Sequence, residues 1–406
     1  MQKLNMAFRI ALIAGIFLPW NATAIDHANL NKLSIGNKFS PNYAESLLVK
    51  SLLEITQGQL QQALDTTDQL LRAAPNFKLA YLVRGDLLMA RAQQLKTFGN
   101  DSATSPEAIE DFREEARSRI EHYISQKTLN SLPEPLWQLD PNLQYAIVVD
   151  TDKSRLYVYR NENGKPSYIA DYYVTIGKNG SEKHSEGDKR TPLGVYFASK
   201  KLSRKLPDFY GGAAYPLNYP NEWDSHQGKK GGGIWLHGTP SSTYSRAPRA
   251  SDGCVVMANP DLKSLAPILQ NGKTLVIIAN NLQWLEAGQT ATQKQELNDA
   301  LETWRQDWES QDTAGYLAHY SQKFFSQSTD LAGWEKHKRR VQASKSKVGI
   351  KLSNISMFRY PDNALQMAVV NFEQSYRSDH LVSHMQKRQY WVLEDDRWKI
   401  MYEGPA

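Results

Sequence analysis

The chain contains one cysteine, Cys254, and the residues around it are of the types that thiol chemistry needs. An apolar run, Gly233-Ile-Trp-Leu-His237, ends on a histidine and continues as Gly238-Thr239-Pro240. The chain then leaves through Ser241–Ala250 and returns as Ser251-Asp252-Gly253-Cys254-Val255-Val256-Met257. A free thiol ionises near pH 8.5 and holds little thiolate at neutral pH, so a nucleophilic cysteine requires a base beside it. His237 is the candidate base. Gly253 tolerates a left-handed backbone, which can turn backbone N–H groups toward a developing oxyanion. Without such neighbours a single cysteine reads as a small, buried, inert side chain.

Other residues near the pair have plainer readings. Ser251 and Asp252 are turn formers by type. Arg246 and Arg249, just upstream, suit contact with a substrate carboxylate. Tyr215 belongs to an aromatic, proline-broken stretch, Phe209–Tyr219, that either walls a groove as a substrate contact or packs in the core. His184 and His226 sit in polar loops without the carboxylate spacing of a metal motif, so no metal is expected. No organic cofactor is implied.

These residues lie in a β-rich segment bounded by two others. Alternating or continuous apolar runs predict strands at Tyr145–Asp150, Arg155–Arg160, Tyr168–Ile176, Gly194–Ser199, Gly233–His237 and Thr274–Ile278. Long Gly-, Lys- and Asp-rich loops separate them, where functional side chains are commonly carried. Pro133, Pro135 and Pro141 predict a linker before this segment.

Upstream, residues 25–130 read as helical. Leu47, Leu48, Leu52, Leu53 and Ile55 recur at helical spacing before Gly58; Leu60, Ala63, Leu64, Leu70 and Leu71 follow, ending at Pro75. Further helices are expected from Lys78 to about Gln94 and over Ser105–Lys127. The pattern resembles about one and a half tetratricopeptide repeats, fewer than a free-standing solenoid needs. A short packing module is expected, suited to a protein partner or a homodimer. Downstream, residues 288–406 predict a helix bearing Leu297, Leu301, Trp304 and Trp308, a second with Tyr316 and Tyr320, then four strands. The three tryptophans Trp304, Trp308 and Trp398 are expected in the core, because large aromatics supply much of a small domain's buried area.

The two segments around His237 and Cys254 resemble the YkuD-type L,D-transpeptidase family. Its motif is a His-Gly, a loop of similar length, and Ser-His-Gly-Cys followed by an apolar residue and Arg. The upstream Thr191-Pro192-Leu193-Gly194-Val195-Tyr196 is similar to that family's Thr-Pro-x-Gly-x-Tyr/Phe strand. The resemblance covers about residues 143–280. The C-terminal segment resembles the NTF2-like fold, a combination similar to shape-determining L,D-carboxypeptidases of helical bacteria. Asp252 stands where most members have His, and Val256 where most have Arg, which puts the usual substrate contacts in doubt. The fold class implied is multidomain α+β: a helical N-terminal module, a β-rich catalytic domain and an α+β tail.

What the resemblance implies chemically is specific. Cys254 would attack the carbonyl of the L,D bond at the third residue of a peptidoglycan stem peptide and expel terminal D-alanine. His237 would move the proton, the Gly238 carbonyl would orient the imidazole, and N–H groups around Gly253 and Cys254 would hold the oxyanion. The thioester would pass to an amine of a second stem (transpeptidase, the leading reading) or to water (carboxypeptidase). A third reading is a non-catalytic wall scaffold.

Composition bounds the setting. With 41% apolar and 22% charged residues the chain is of globular type. Lys3 and Arg9, the apolar run 10–20 and Ala22-Thr23-Ala24 make a secretory signal, so residues 1–24 are expected to be removed and the protein to work in the periplasm. Losing Lys3 and Arg9 lowers the formal charge from +5 to +3, too mild to argue for nucleic acid. No later stretch is apolar enough to span a bilayer.

Overall fold

The computed structural model describes residues 42–406 except 96, 100–102, 126–130, 270–271, 287, 344–346, 362–363 and 380. The expected signal at 1–24 lies outside the described residues. Among the described residues no helix is long and apolar enough to cross a membrane.

Four helices open the described chain: α1 (Tyr43–Thr56), α2 (Leu60–Ala73), α3 (Lys78–Met89) and α4 (Pro106–Ile124). Leu47, Leu48, Leu52 and Leu53 of α1 share one core with Ala63, Leu64 and Leu70 of α2. Gly58 turns the chain between them with φ 74°, a conformation that costs glycine nothing. α4 starts on Ser105, whose hydroxyl accepts from the Ala108 N–H at 3.3 Å, with Pro106 in the first helical position. This core is not closed on itself. It takes in Tyr244 and Ala258 from the loops of the next domain.

The strands that follow are β1 (Ser131–Pro133), β2 (Leu136–Gln138), β3 (Tyr145–Asp150), β4 (Arg155–Glu162), β5 (Lys165–Gly177), β6 (Gly194–Ala198), β7 (Ala214–Pro216), β8 (Trp235–His237), β9 (Arg249–Ser251), β10 (Val255–Met257), β11 (Thr274–Ala279) and β12 (Trp284–Glu286). Two short helices, α5 (Glu222–His226) and α6 (Asn259–Leu269), interrupt them. The sheet of this middle domain runs β6-β11-β3-β4-β5-β10-β8-β7, with β9 beside β5. Side chains alternate across it. Ile147 and Val149 of β3 pack with Leu156, Val276 and Ile278 on one face. Ala146 and Val148 meet Phe358, Val369 and Tyr390 of the C-terminal domain on the other. Both faces are therefore covered, which explains why β3 and β11 are apolar at nearly every position.

The proline stretch differs from the linker expected. β1 pairs antiparallel with β12, and β2 joins the edge of the C-terminal sheet beside the strand Val348–Arg359. Proline lacks the N–H of a central strand but is tolerated at such edges. These residues stitch the two domains together.

The C-terminal domain comprises α7 (Ala291–Glu309), α8 (Thr313–Ala318), β13 (Tyr320–Phe325), α9 (Leu331–Ala343), β14 (Val348–Arg359), β15 (Met367–Ser378), β16 (Val382–Glu394) and β17 (Arg397–Pro405). Its sheet order is β13-β17-β16-β15-β14-β2. Trp304, Trp308 and Trp398 all lie in its core. Tyr320 is not on the second helix as expected. It opens β13, where parallel pairing with β17 and a 2.8 Å bond from its hydroxyl to Glu403 override the helical spacing. Helix α9 escapes the sequence because its residues are mostly charged or exposed, leaving little apolar period to read. Across the domain boundary Arg388 pairs with Glu222 at 2.9 Å, and His226 stacks on Phe325 at 3.7 Å. His226 is thus a packing residue.

Candidate active site

Strands β8 and β10 lie side by side and parallel, with Val255 opposite Leu236 and Val256 opposite His237. Parallel neighbours need a crossover of about a dozen residues or more, and the Gly238–Gly253 excursion provides it. Cys254 lies just before β10, so the register sets it beside the start of β8, two strand positions from His237. The structure thus brings the ends of the excursion together.

His237 is 1% exposed. Its Nδ1 lies 2.7 Å from the Gly238 carbonyl oxygen. A carbonyl only accepts, so Nδ1 carries the proton and Nε2 is the free, basic nitrogen. Burial pushes the imidazole down to about 4; the Gly238 and Tyr210 carbonyls resist and the Arg246 charge assists. Gly238 itself is held by its N–H to the Tyr210 carbonyl at 3.1 Å. A Cβ there would sit 2.0 Å from Asn259 Oδ1, so only glycine fits.

Cys254 is partly exposed. Its thiol donates to the Gly233 carbonyl at 3.3 Å. Among the described residues no hydrogen bond joins it to the imidazole. Burial pushes it up to about 11; the Trp235 N–H opposes, Asp252 adds, and Arg246 and Lys183 oppose. The resting pair is therefore neutral thiol and neutral imidazole.

The turn before the cysteine is locked from within. Ser251 Oγ accepts the Gly253 N–H at 3.1 Å and donates to the Cys254 carbonyl at 2.6 Å. This corrects the expectation that the Gly253 N–H serves an oxyanion, because Ser251 already occupies it. Gly253 has φ 120°, and a Cβ there would lie 2.7 Å from the Arg190 carbonyl. Thr191, of the Thr-Pro-x-Gly segment, is fully buried; its Oγ1 donates to the Gly253 carbonyl at 3.0 Å and accepts from the Gly177 N–H at 2.9 Å. A lone threonine before a proline carries no sequence signal for this role. Asp252 points outward and pairs with Lys178 at 3.2 Å.

The three predicted substrate contacts separate in space. Arg246 stays with the pair: its guanidinium lies 4.6 Å from the Phe209 ring centroid, and its charge acts on both His237 and Cys254. Arg249 sits instead in a groove with Glu114, His122 and Trp284, beneath α4. Tyr215 is 1% exposed in the sheet core, opposite Leu236 of β8, and does not wall a groove. The rings beside His237 come from the short 3-10 turn Asp208–Tyr210: Tyr210 meets His237 edge-on at 5.2 Å and Trp235 at 4.9 Å, while Phe209 is 47% exposed. Val256, at the usual arginine position, is buried. Among the described residues no cluster of three or more His, Cys, Asp or Glu side chains is arranged to hold a metal ion.

Comparison with known proteins accords with this geometry. The L,D-transpeptidase (YkuD) catalytic domain matches residues 144–278, and the Cds6 C-terminal NTF2-like domain matches residues 296–404. The structure of Bdellovibrio bacteriovorus Bd1075 is 30% identical, with TM-score 0.60, over 68% of this chain and 98% of that one. The helical cell shape determining protein Pgp2 from Campylobacter jejuni is 26% identical, with TM-score 0.57, over 68% of this chain and 96% of that one. A point mutant of Pgp2 is likewise 26% identical, with TM-score 0.57, over 69% and 94%. No curated protein matches. The chain belongs to the YkuD-type L,D-transpeptidase family, in the branch that carries a C-terminal NTF2-like domain.

Proposed function

We propose that this protein cleaves the L,D bond of peptidoglycan tetrapeptide stems through a Cys254 thioester, releasing D-alanine. What supports the reading is that adjacent parallel strands carry a partly exposed Cys254 and a buried His237 whose Nδ1 is held by the Gly238 carbonyl, leaving Nε2 as the basic nitrogen. When a stem enters, Cys254 passes its proton to His237 as sulfur attacks the carbonyl carbon. The C–N bond then breaks, and the departing amine of D-alanine takes that proton. Phe209 and Tyr210 shield one side of the site, and Arg246 offers a cation where a stem carboxylate would lie. Removing the substrate's water strengthens each of these interactions.

The thioester has two fates. Hydrolysis by water, deprotonated by His237, returns the thiol and leaves a tripeptide. Two observations favour it: the C-terminal NTF2-like domain, the feature in which the chain resembles L,D-carboxypeptidases, and buried Val256 in place of the motif arginine. Transfer to the side-chain amine of a second stem, giving a 3→3 crosslink, is the second reading. In either case we place the protein in the periplasm, supported by the signal pattern at residues 1–24, with a role in cell shape.

The test is product analysis of disaccharide-tetrapeptides incubated with the purified chain. Tripeptide and free D-alanine are expected, and none with Cys254→Ala. Dimers would select transfer over hydrolysis. A chain that turns over no stem, or a Cys254→Ala variant as active as wild type, sinks the assignment.

A further inference from the structure

Residues 42–125 fall outside both matching family domains, which begin at 144 and 296. Yet these residues grip the loop between His237 and Cys254 at two consecutive positions, Tyr244 and Ser245, and β5 holds the next, Arg246. Tyr244 donates its N–H to the Asn76 carbonyl at 3.0 Å and stacks on Phe77 at 4.6 Å. Ser245 donates its hydroxyl to Glu115 Oε1 at 2.5 Å. Arg246 is held through its carbonyl, which accepts from Tyr173 Oη at 2.9 Å and Thr175 Oγ1 at 3.2 Å. The Arg119 guanidinium of α4 in turn lies 3.9 Å from the Tyr173 ring centroid.

Behind these contacts the charges are buried and paired, although Arg155 Nε has no hydrogen-bond partner among the described residues. Arg119 bonds Glu115 at 2.8 Å and Glu45 at 3.0 Å, and Arg155 of β4 bonds Glu45 at 2.7 Å. A buried network of paired charges adds less to net stability than to the definition of one geometry. The loop needs that definition. Apart from β9 it has no regular structure, and fixing a free backbone costs about 1–2 kcal/mol per residue.

We infer that the helical module is a positioning element for the acyl-transfer site, with Glu115 and Phe77 holding the loop so that Arg246 stays beside Cys254. The inference rests on the proposed reading of Arg246 as the anion contact. The backbone that carries the thiol is fixed separately, by Thr191 and Ser251, so loosening the loop displaces the cation and leaves the cysteine in place.

Ser245→Ala and Phe77→Leu test this, with Ser245→Thr as the conservative control. Alkylation of Cys254 is measured with anionic iodoacetate and neutral iodoacetamide. The iodoacetate-to-iodoacetamide rate ratio should fall severalfold in both variants and stay at the wild-type value in Ser245→Thr, while the iodoacetamide rate falls less than the iodoacetate rate, because Arg246 also favours the thiolate. With stem peptides, KM should rise on the order of tenfold with kcat within about twofold, the loss of one hydrogen bond to a charged group. A wild-type ratio in both Ser245→Ala and Phe77→Leu overturns the inference, as does an equal fall in both alkylation rates. Failure of the wild-type chain to cleave stems would remove the proposed function, and the alkylation ratio would still decide the clamp.

Discussion

Thr191 Oγ1 donates to the carbonyl oxygen of Gly253 at 3.0 Å, tying the Thr-Pro-x-Gly strand entry to the residue before the nucleophile. The same hydroxyl accepts from the Gly177 N–H, so one buried side chain satisfies backbone groups of two segments. Both segments carry tight backbone approaches: a Cβ on Gly177 would lie 2.3 Å from the Lys189 carbonyl.

Thr191→Val keeps the shape and removes both bonds. Unpaired buried polar groups cost about 1–3 kcal/mol each, so denaturant unfolding should show a loss within that range or somewhat above it. Acylation of Cys254 by a carbapenem, followed by intact-mass spectrometry, should slow as well. Thr191→Ser should recover most of both. Wild-type acylation in Thr191→Val would show that the strut does not position the cysteine.

The pH profile of the free enzyme follows from two opposite displacements. Burial holds His237 down to about 4 and drives Cys254 up to about 11, so the neutral pair is the resting form between them. With the thiol pKa raised, the thiolate fraction at pH 7 is about 10⁻⁴ and grows tenfold per pH unit. Iodoacetamide alkylation should therefore climb steadily into the alkaline range. A plateau between about pH 5 and 8 would mean a resting thiolate–imidazolium pair instead.

Arg246 and Arg249 should behave differently although they are three residues apart. Arg246→Gln should raise KM for tetrapeptide about 10- to 100-fold, the range for losing a charge-assisted bond, with a smaller change in kcat. Arg249→Gln should leave both near wild type, because that side chain lies in the groove under α4. Steady-state kinetics on the two variants decides. Equal effects would remove Arg246 from substrate contact.

Glu403 provides a stability prediction in the C-terminal domain. It is buried, accepts from Tyr320 at 2.8 Å and pairs with Lys387. Burial raises its pKa, but Lys387 and Lys338 outweigh that and bring it to about 2 from 4.5. A depressed carboxylate stabilises above its unfolded pKa, so this contribution, about 3 kcal/mol, should be lost as pH falls from 4.5 toward 2. Lys387→Met should cost about 3–5 kcal/mol near neutral pH by stranding the carboxylate. Adding Glu403→Gln should restore much of it. Unfolding curves of the single and double variants, measured against pH, check both statements.

The sequence alone determined the chemistry-bearing pair, because its signals are local: a thiol, an imidazole, and glycines at backbone positions where a Cβ collides. It also determined the succession of helical, β-rich and α+β parts, since the hydrophobic period changes from one to the next. Only the tertiary structure decided which neighbours serve the pair. Arg246 and Arg249 share a loop without a period, and their separation comes from Tyr173 and Thr175 holding one carbonyl between them. Tyr215 lies on a strand of three residues, too short for alternation to show, and its pairing with Leu236 turns it into the core. The Gly253 N–H looks available in sequence and is occupied because Ser251 folds back on it. The role of the helices emerged only when α4 met the loop, since a bond between Glu115 and Ser245, 130 residues apart, leaves no trace in either segment.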